Sequence, residues 1–351
     1  IYAYYRAVGD HDLVGELSVW GPALRASFRL ENAPADRPWM VVRLDEVAAG
    51  PWSATAARVF AGDGNVIEKP GSFNLGFDGH RLSTSFVGFD FPGVSIVQAT
   101  DAVPDSLTVD PAARQYTLRG PGTQTQVFLP CRTVWDGIRA WRDTNGLKAA
   151  AGVQTLAGRF VFDLWGGRYA ESMKALERAF RYGLTDAVVV WHVWQRHGYD
   201  YRLPDIWPPR GEYGTLAELA ALAKSCRDHG VLFAPHDNYI DFYPDSEGFS
   251  YDQIAFDAGG APVKAWLNSW HANAQSYRSR PDADLAPLQR NVRLIKAGLA
   301  PDAYFIDVWS SIGPYDCWSR DGRFLDRSFT RTVWGEAFAW IRTTLGGNAP
   351  Q

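Results

Sequence analysis

The sequence has no uninterrupted apolar run near the roughly 20 residues that a membrane helix needs, so no membrane-spanning helix is expected. It has no basic excess either. Lys and Arg number 35 against 39 Asp and Glu, a formal net charge of -4, which fits a nucleic-acid partner poorly. Only three cysteines occur, Cys131, Cys226 and Cys317, and their spacing matches no zinc or redox motif. They read as free, mostly buried thiols, with Cys226 in a helix core, and a disulfide framework is not expected. No Gly-rich phosphate loop follows a strand: after Gly166-Gly167 comes Arg168-Tyr169, not a glycine-spaced helix start. No His-Glu-x-x-His spacing and no internal repeat is present. Neither a metal nor an organic cofactor is expected.

Aromatic residues are plentiful: 15 Trp, 15 Tyr and 19 Phe among 351 residues. Trp and Tyr stack on the apolar faces of sugars and hydrogen-bond from the rim, although a β-rich core buries the same residues. The chain opens on Ile1-Tyr2-Ala3-Tyr4-Tyr5, which reads as mid-strand. It is expected to be a piece of a longer protein, so targeting signals cannot be read from it. The compartment stays open, with a secreted or periplasmic setting favoured.

Two halves differ in pattern. Residues 1–130 show short alternating runs, among them Leu17–Trp20, Arg25–Leu30, Met40–Leu44, Val94–Val97, Ser106–Val109 and Thr125–Leu129. Turn formers such as Gly62-Asp63-Gly64-Asn65 and Asp78-Gly79-His80 separate them. Period-two alternation with such punctuation predicts antiparallel sheets packed as a β-sandwich. Residues 131–158 read as a linker with one short helix, Val134 to Thr144. From Arg159 the pattern becomes β–α–β–α. Strands are expected at Arg159–Trp165, Ala187–Trp194, Val231–His236 and Ala303–Trp309. Helices are expected at Tyr169–Tyr182, Thr215–His229, Ala283–Leu299 and Asp326–Leu345. Continuous apolar strands in series with helices fit either a (β/α)8 barrel or an open doubly wound sheet. The absent phosphate loop and the long loops after strand C-termini favour the barrel, of which residues 159–351 would form the first half.

Polar groups gather at the predicted strand ends: Asp163 and Trp165, then His192, Trp194, Gln195 and Arg196, then His236, Asp237, Asn238 and Asp241, then Asp307 and Trp309. At a barrel rim such groups read as catalytic or binding. Asp307, set in Tyr-Phe-Ile-Asp-Val-Trp, is either a nucleophile or a paired structural acid, because a carboxylate in an apolar run is costly unless it is used. Asp163 orients a ligand or makes a core ion pair. His192 and His236 read as hydroxyl-binding groups ahead of metal ligands, with a satisfied core histidine as the other reading of His192. Trp165, Trp194 and Trp309 are stacking walls or core aromatics, and strict alternation would put Trp309 in phase with Asp307 and Trp165 with Asp163. The loop Tyr199–Arg210, with Asp205 and Trp207, is a rim or lid. Glu336 sits on a helix and reads as a surface acid.

The segment Asp302-Ala303-Tyr304-Phe305-Ile306-Asp307-Val308-Trp309, preceded by Leu203-Pro204-Asp205 and His236-Asp237-Asn238-Tyr239, resembles the α-N-acetylgalactosaminidases of glycoside hydrolase families 129 and 101. The resemblance covers residues 159 to 351, and the region before them is similar to the supersandwich domain of those enzymes. It implies a retaining α-glycoside hydrolase acting on α-linked N-acetylgalactosamine or galactose of glycans, with Asp307 as nucleophile. It implies sugar contacts from Asp163, Trp165, His192, Trp194, Gln195, His236, Asp237, Asn238, Asp241 and Trp309. A retaining enzyme needs a second carboxyl about 5–5.5 Å from the first. The resemblance places it on the following strand, expected beyond Gln351, so that this chain alone would be inactive. The alternatives are a non-catalytic carbohydrate-binding protein on a degenerate barrel and a metal-dependent barrel hydrolase.

Overall fold

The computed structural model describes residues 2–8, 11–20, 23–31, 42–43, 56–62, 65–77, 81–101, 103–113, 115–120, 124–309 and 311–346. The turn at Asp78-Gly79-His80, the Asp63-Gly64 pair and most of Met40–Leu44 lie outside them. Two compact units emerge, one of residues 1–148 and 310–314, the other of 149–309 and 315–351.

The first unit is antiparallel throughout its named strands. An eight-stranded sheet runs in the order Tyr2–Val8, His11–Trp20, Ala23–Glu31, Gln124–Cys131, Val94–Thr100, Phe86–Phe91, Arg58–Phe60, Val66–Glu68. A four-stranded sheet runs Val42–Arg43, Gln115–Gly120, Ser106–Asp110, Phe73–Gly76. Val59, Val87 and Phe89 from the larger sheet share a core with Leu107, Val109, Tyr116 and Leu118 from the smaller. Phe89 and Tyr116 stack across it with centroids 3.8 Å apart. The strand Phe86–Phe91 carries no clean alternation, since its middle residues are all buried. Gly88 explains part of this: a Cβ there would meet Val134 Cγ1 at 2.4 Å, so only glycine lets the helix Val134–Thr144 lie down on the sheet.

In the second unit four parallel strands follow chain order: Phe160–Trp165, Ala187–His192, Leu232–Asp237 and Phe305–Ile306. Strictly sequential order leaves no reversal of the kind that marks a doubly wound sheet. The second strand is buried at every residue, which is why it reads as an unbroken apolar run. The first is an edge strand, with Phe160 and Val161 exposed, so the expectation of continuous burial fails there. The fourth is only two residues long, against seven expected.

A short helix, Ala151–Leu156, precedes the first strand, and the helices that follow the four strands are Tyr169–Arg181, Leu216–Asp228, Leu285–Leu299 and Arg327–Leu345. Thr215 and Glu218 form a capping box on the second, and Asp326 caps the fourth by accepting from Phe329 N. Thr215→Ala should lower stability by about 1 kcal/mol, read as a shift in denaturant midpoint with unchanged slope. The long segment after the third strand is more than a loop. It folds into a three-stranded antiparallel sheet of Asp241–Phe242, Ala274–Arg278 and Lys264–Asn268. That small sheet brings Trp266 and, just past its third strand, Trp270 toward the strand ends.

Candidate active site

The C-terminal ends of the four parallel strands converge on one chain of hydrogen bonds. Asp307 follows the fourth strand directly. Its backbone N–H donates to Asp237 O at 2.8 Å, which locks it to the third strand. One carboxylate oxygen accepts from Val308 N at 2.7 Å; the other faces His236 Nε2 and the Tyr199 hydroxyl, each at 3.3 Å. The Asp307 side chain is 34% exposed, so an oxygen reaches the open face. The hydrogen bond from His236 holds Asp307 below the usual carboxylate range, against burial. It is therefore ionised at neutral pH.

His236 is wholly buried. Burial works against its charged form, but Asp200, the hydrogen bond and charge of Asp307, and Asp237 outweigh burial and raise it above its ordinary value. On its other side, Nδ1 faces Gln195 Nε2 at 3.2 Å and Asp200 Oδ1 at 3.8 Å. The Tyr199 ring stacks on the imidazole at 5.3 Å, and burial, followed by Asp200 and Asp307, raises the phenol so that it stays a donor.

His192 sits beside this chain, its ring 4.4 Å from that of His236. Burial and then the charge of His236 lower it, so it is the neutral member of the pair. Its Nε2 lies 2.7 Å from Asp163 Oδ1, while Trp165 Nε1 donates to Asp163 Oδ2 at 2.9 Å. Trp165 then lies flat on His192, centroids 4.1 Å apart and planes 4° off parallel. Asp163 and Trp165 thus share a side, as their spacing requires. Trp165 is about half exposed and Trp270 59% exposed, and both touch Tyr199. Together they make an aromatic surface beside Asp307.

Other predicted residues lie elsewhere. Asp237 alternates with His236 and therefore points to the opposite face, where it accepts from Tyr239 and Tyr304 hydroxyls at 2.5 and 2.6 Å. Burial raises it despite those donors. Asn238 is buried and donates to Asp200 and Asp241. Asp241 is buried as well and accepts from Trp266 N and the Ser276 hydroxyl. Trp194 is buried, donates to His236 O at 2.7 Å and packs edge-on against Trp207. Trp309 is a correction to the alternation argument. The strand stops at Ile306, Val308 takes a left-handed backbone (φ +71°), and Trp309 turns to stack on Trp334 of the fourth helix, centroids 5.0 Å apart. Asp205 pairs with His197 and Arg196, and Glu336 is exposed on its helix.

Asp200, Tyr199, Trp266 and Trp270 were not among the predicted site residues. All four come from loops or from the inserted sheet, where no periodicity marks them; the available signal was their place after strand ends. Asp200, His236 and Asp307 offer donor atoms within 4.8 Å of one another. Asp200 lies nearer Nδ1 of the ring and Asp307 nearer Nε2.

The chain is similar over 99% of its length to ligand-free α-N-acetylgalactosaminidase NagBb from Bifidobacterium bifidum, at 13% identity, 68% of that chain and a TM-score of 0.75. The GalNAc complex of the same enzyme matches over 98% of this chain and 67% of that one, at 14% identity and a TM-score of 0.76. TtGalA, an α-galactosidase from Thermus thermophilus in complex with p-nitrophenyl α-D-galactopyranoside, matches over 99% of this chain and 70% of that one, at 13% identity and a TM-score of 0.59. At these identities the likeness is one of fold. No protein-family model and no curated protein sequence matches the chain.

Proposed function

We propose that the chain is the β-sandwich and first barrel half of a retaining α-glycoside hydrolase acting on α-linked N-acetylgalactosamine or galactose residues of glycans. One observation carries this reading: an ionised, partly exposed Asp307 at a strand end, held by His236 and Tyr199 beside an exposed aromatic surface. The likeness of fold to NagBb and TtGalA supports the substrate class.

In this mechanism a terminal sugar lies against Trp165. An Asp307 oxygen attacks the anomeric carbon, the bond to the leaving oxygen breaks, and a covalent glycosyl-enzyme forms. A second carboxyl protonates the leaving oxygen and later activates water. Asp200 does not fill that role. It is 2% exposed and lies behind the His236 ring, where it cannot flank a bound sugar. The acid/base is assigned to the rest of the barrel. Asp163, held by His192 and Trp165 and about half exposed, offers an acceptor to a sugar hydroxyl.

The test is a panel of nitrophenyl α-glycosides with the full-length protein. Hydrolysis of the α-N-acetylgalactosaminide or α-galactoside, with retention at the anomeric carbon by proton NMR, is expected. Sugar binding without turnover would instead mark a carbohydrate-binding protein, and activity abolished by chelators would mark a metal-dependent hydrolase. Trp165→Ala should raise KM about tenfold while kcat changes less, since stacking contributes on the order of 1 kcal/mol beyond area.

A further inference from the structure

We propose that Asp200 is the buried counter-charge that holds the His236 imidazolium against Asp307, a positioning residue for the nucleophile. This rests on the reading of Asp307 as nucleophile.

Three observations converge. Asp200 is almost wholly buried, with its Oδ1 3.8 Å from His236 Nδ1, while the opposite ring nitrogen faces Asp307 at 3.3 Å. One imidazole therefore stands between two carboxylates, with the Gln195 side-chain amide 3.2 Å from the same Nδ1 and closer to it than Asp200. Second, amides fix Asp200 from several sides. Asn238 Nδ2 donates to Oδ2 at 2.9 Å, Gln195 Nε2 donates to Oδ1 at 3.4 Å, and Asn268 Nδ2 donates to its backbone oxygen at 3.1 Å. Third, the backbone is bent to bring it there. Gly198, Asp200 and Arg202 all take left-handed conformations, with φ of +96°, +44° and +53°. Such residues persist only where their surroundings over-determine them.

The charge balance gives this arrangement its use. With Asp200 in its charged form, the three groups carry two negative charges and one positive before reaction. When Asp307 becomes a sugar ester its charge disappears, and the electron pair of the broken glycosidic bond leaves with the departing oxygen. His236 and Asp200 then remain as a neutral ion pair, so the imidazole keeps both protons and its donor stays on the ester oxygen. When the ester is hydrolysed, the same donor meets the returning carboxylate. Without Asp200, burial would press the ring toward its neutral form as soon as Asp307 lost its charge.

The groups facing this pair are defined. Asp200, Asp307 and Asp237 favour charge on His236; burial opposes it, and His192 alongside stays neutral. Asp200 itself is pushed up to about 7, first by burial and then by Asp241 and Asp307, against the pull of His236 and Asn238. The pull of the ring therefore offsets only part of the effect of burial, and Asp200 is partly ionised near neutral pH.

The experiment is Asp200→Asn in the full-length protein with 13C-labelled histidine. Asn tolerates a left-handed backbone as Asp does and can still accept from Asn238. The His236 titration midpoint should fall by about one unit or more once its counter-charge is gone. kcat should drop about 10- to 100-fold with KM within about threefold, the pattern of lost transition-state orientation. The alkaline limb of kcat should move to lower pH with the His236 midpoint. Unchanged midpoint, kcat and limb in a folded variant would overturn the proposal. So would a wild-type His236 that titrates at or below the ordinary histidine value, a result that needs no variant to fold. If the wild type cleaves no α-glycoside, the glycosidase reading fails, while the titration still decides the role of Asp200.

Discussion

Asp307→Asn should abolish turnover of α-glycosides in the full-length protein, by about 10³-fold or more in kcat, with the fold unchanged. The amide is nearly the same size and its single oxygen can still accept from Val308 N, while its nitrogen replaces the oxygen that accepted from the Tyr199 hydroxyl. What it cannot do is attack. An uncharged amide has no carboxylate electron pair to give the anomeric carbon, and it no longer offers His236 a charged partner. The wild-type acid limb should lie below the usual carboxylate range, because the His236 hydrogen bond keeps Asp307 ionised there. Lowering pH through the depressed value protonates Asp307, so loss of this carboxylate's charge accounts for the acid limb. Added azide should restore part of the turnover only if the nucleophile, and no remote structural element, was removed. Circular dichroism and thermal midpoint check the fold, and a fully active Asn variant would end the assignment.

Asp237→Ala should behave in the opposite way. It sits one residue from His236 and faces the other side of the strand, where two tyrosine hydroxyls and Asn238 N converge on its carboxylate. Removing it strands two buried phenols and opens a void. A cost of about 3–5 kcal/mol is expected, in the range for breaking a buried polar cluster by deleting one partner. Denaturant unfolding should show the loss, while any folded fraction keeps its KM. A large rise in KM with unchanged stability would return Asp237 to the sugar site.

These two aspartates show how far the sequence carries. Strand ends were legible because the apolar runs are long and the helices between them are well capped, as at Thr215 and Asp326. Asp163, His192, His236 and Asp307 were legible for the same reason. The face each one takes was harder. Alternation holds only while the strand lasts, and the fourth strand ends at Ile306, so the left-handed Val308 sends Trp309 into the helix layer. His236-Asp237 has no such break, yet nothing in its local pattern says which of the two faces the open side. Asp200 was illegible because its position depends on left-handed backbone and on amides distant in sequence, Asn238 and Asn268. In the first unit the strand Phe86–Phe91 lacked alternation because its central residues are buried.

Asp307 is proposed to bond covalently to the anomeric carbon, and trapping that bond decides the matter. The full-length protein would be incubated with a fluorinated α-galactosyl fluoride that forms the covalent intermediate quickly and releases it slowly, then digested and mapped by mass spectrometry. One added fluorosugar is expected on the peptide containing Asp307, and none on that of Asp307→Asn. A sugar attached to any other carboxylate, or steady retaining hydrolysis with no label on that peptide, would contradict it.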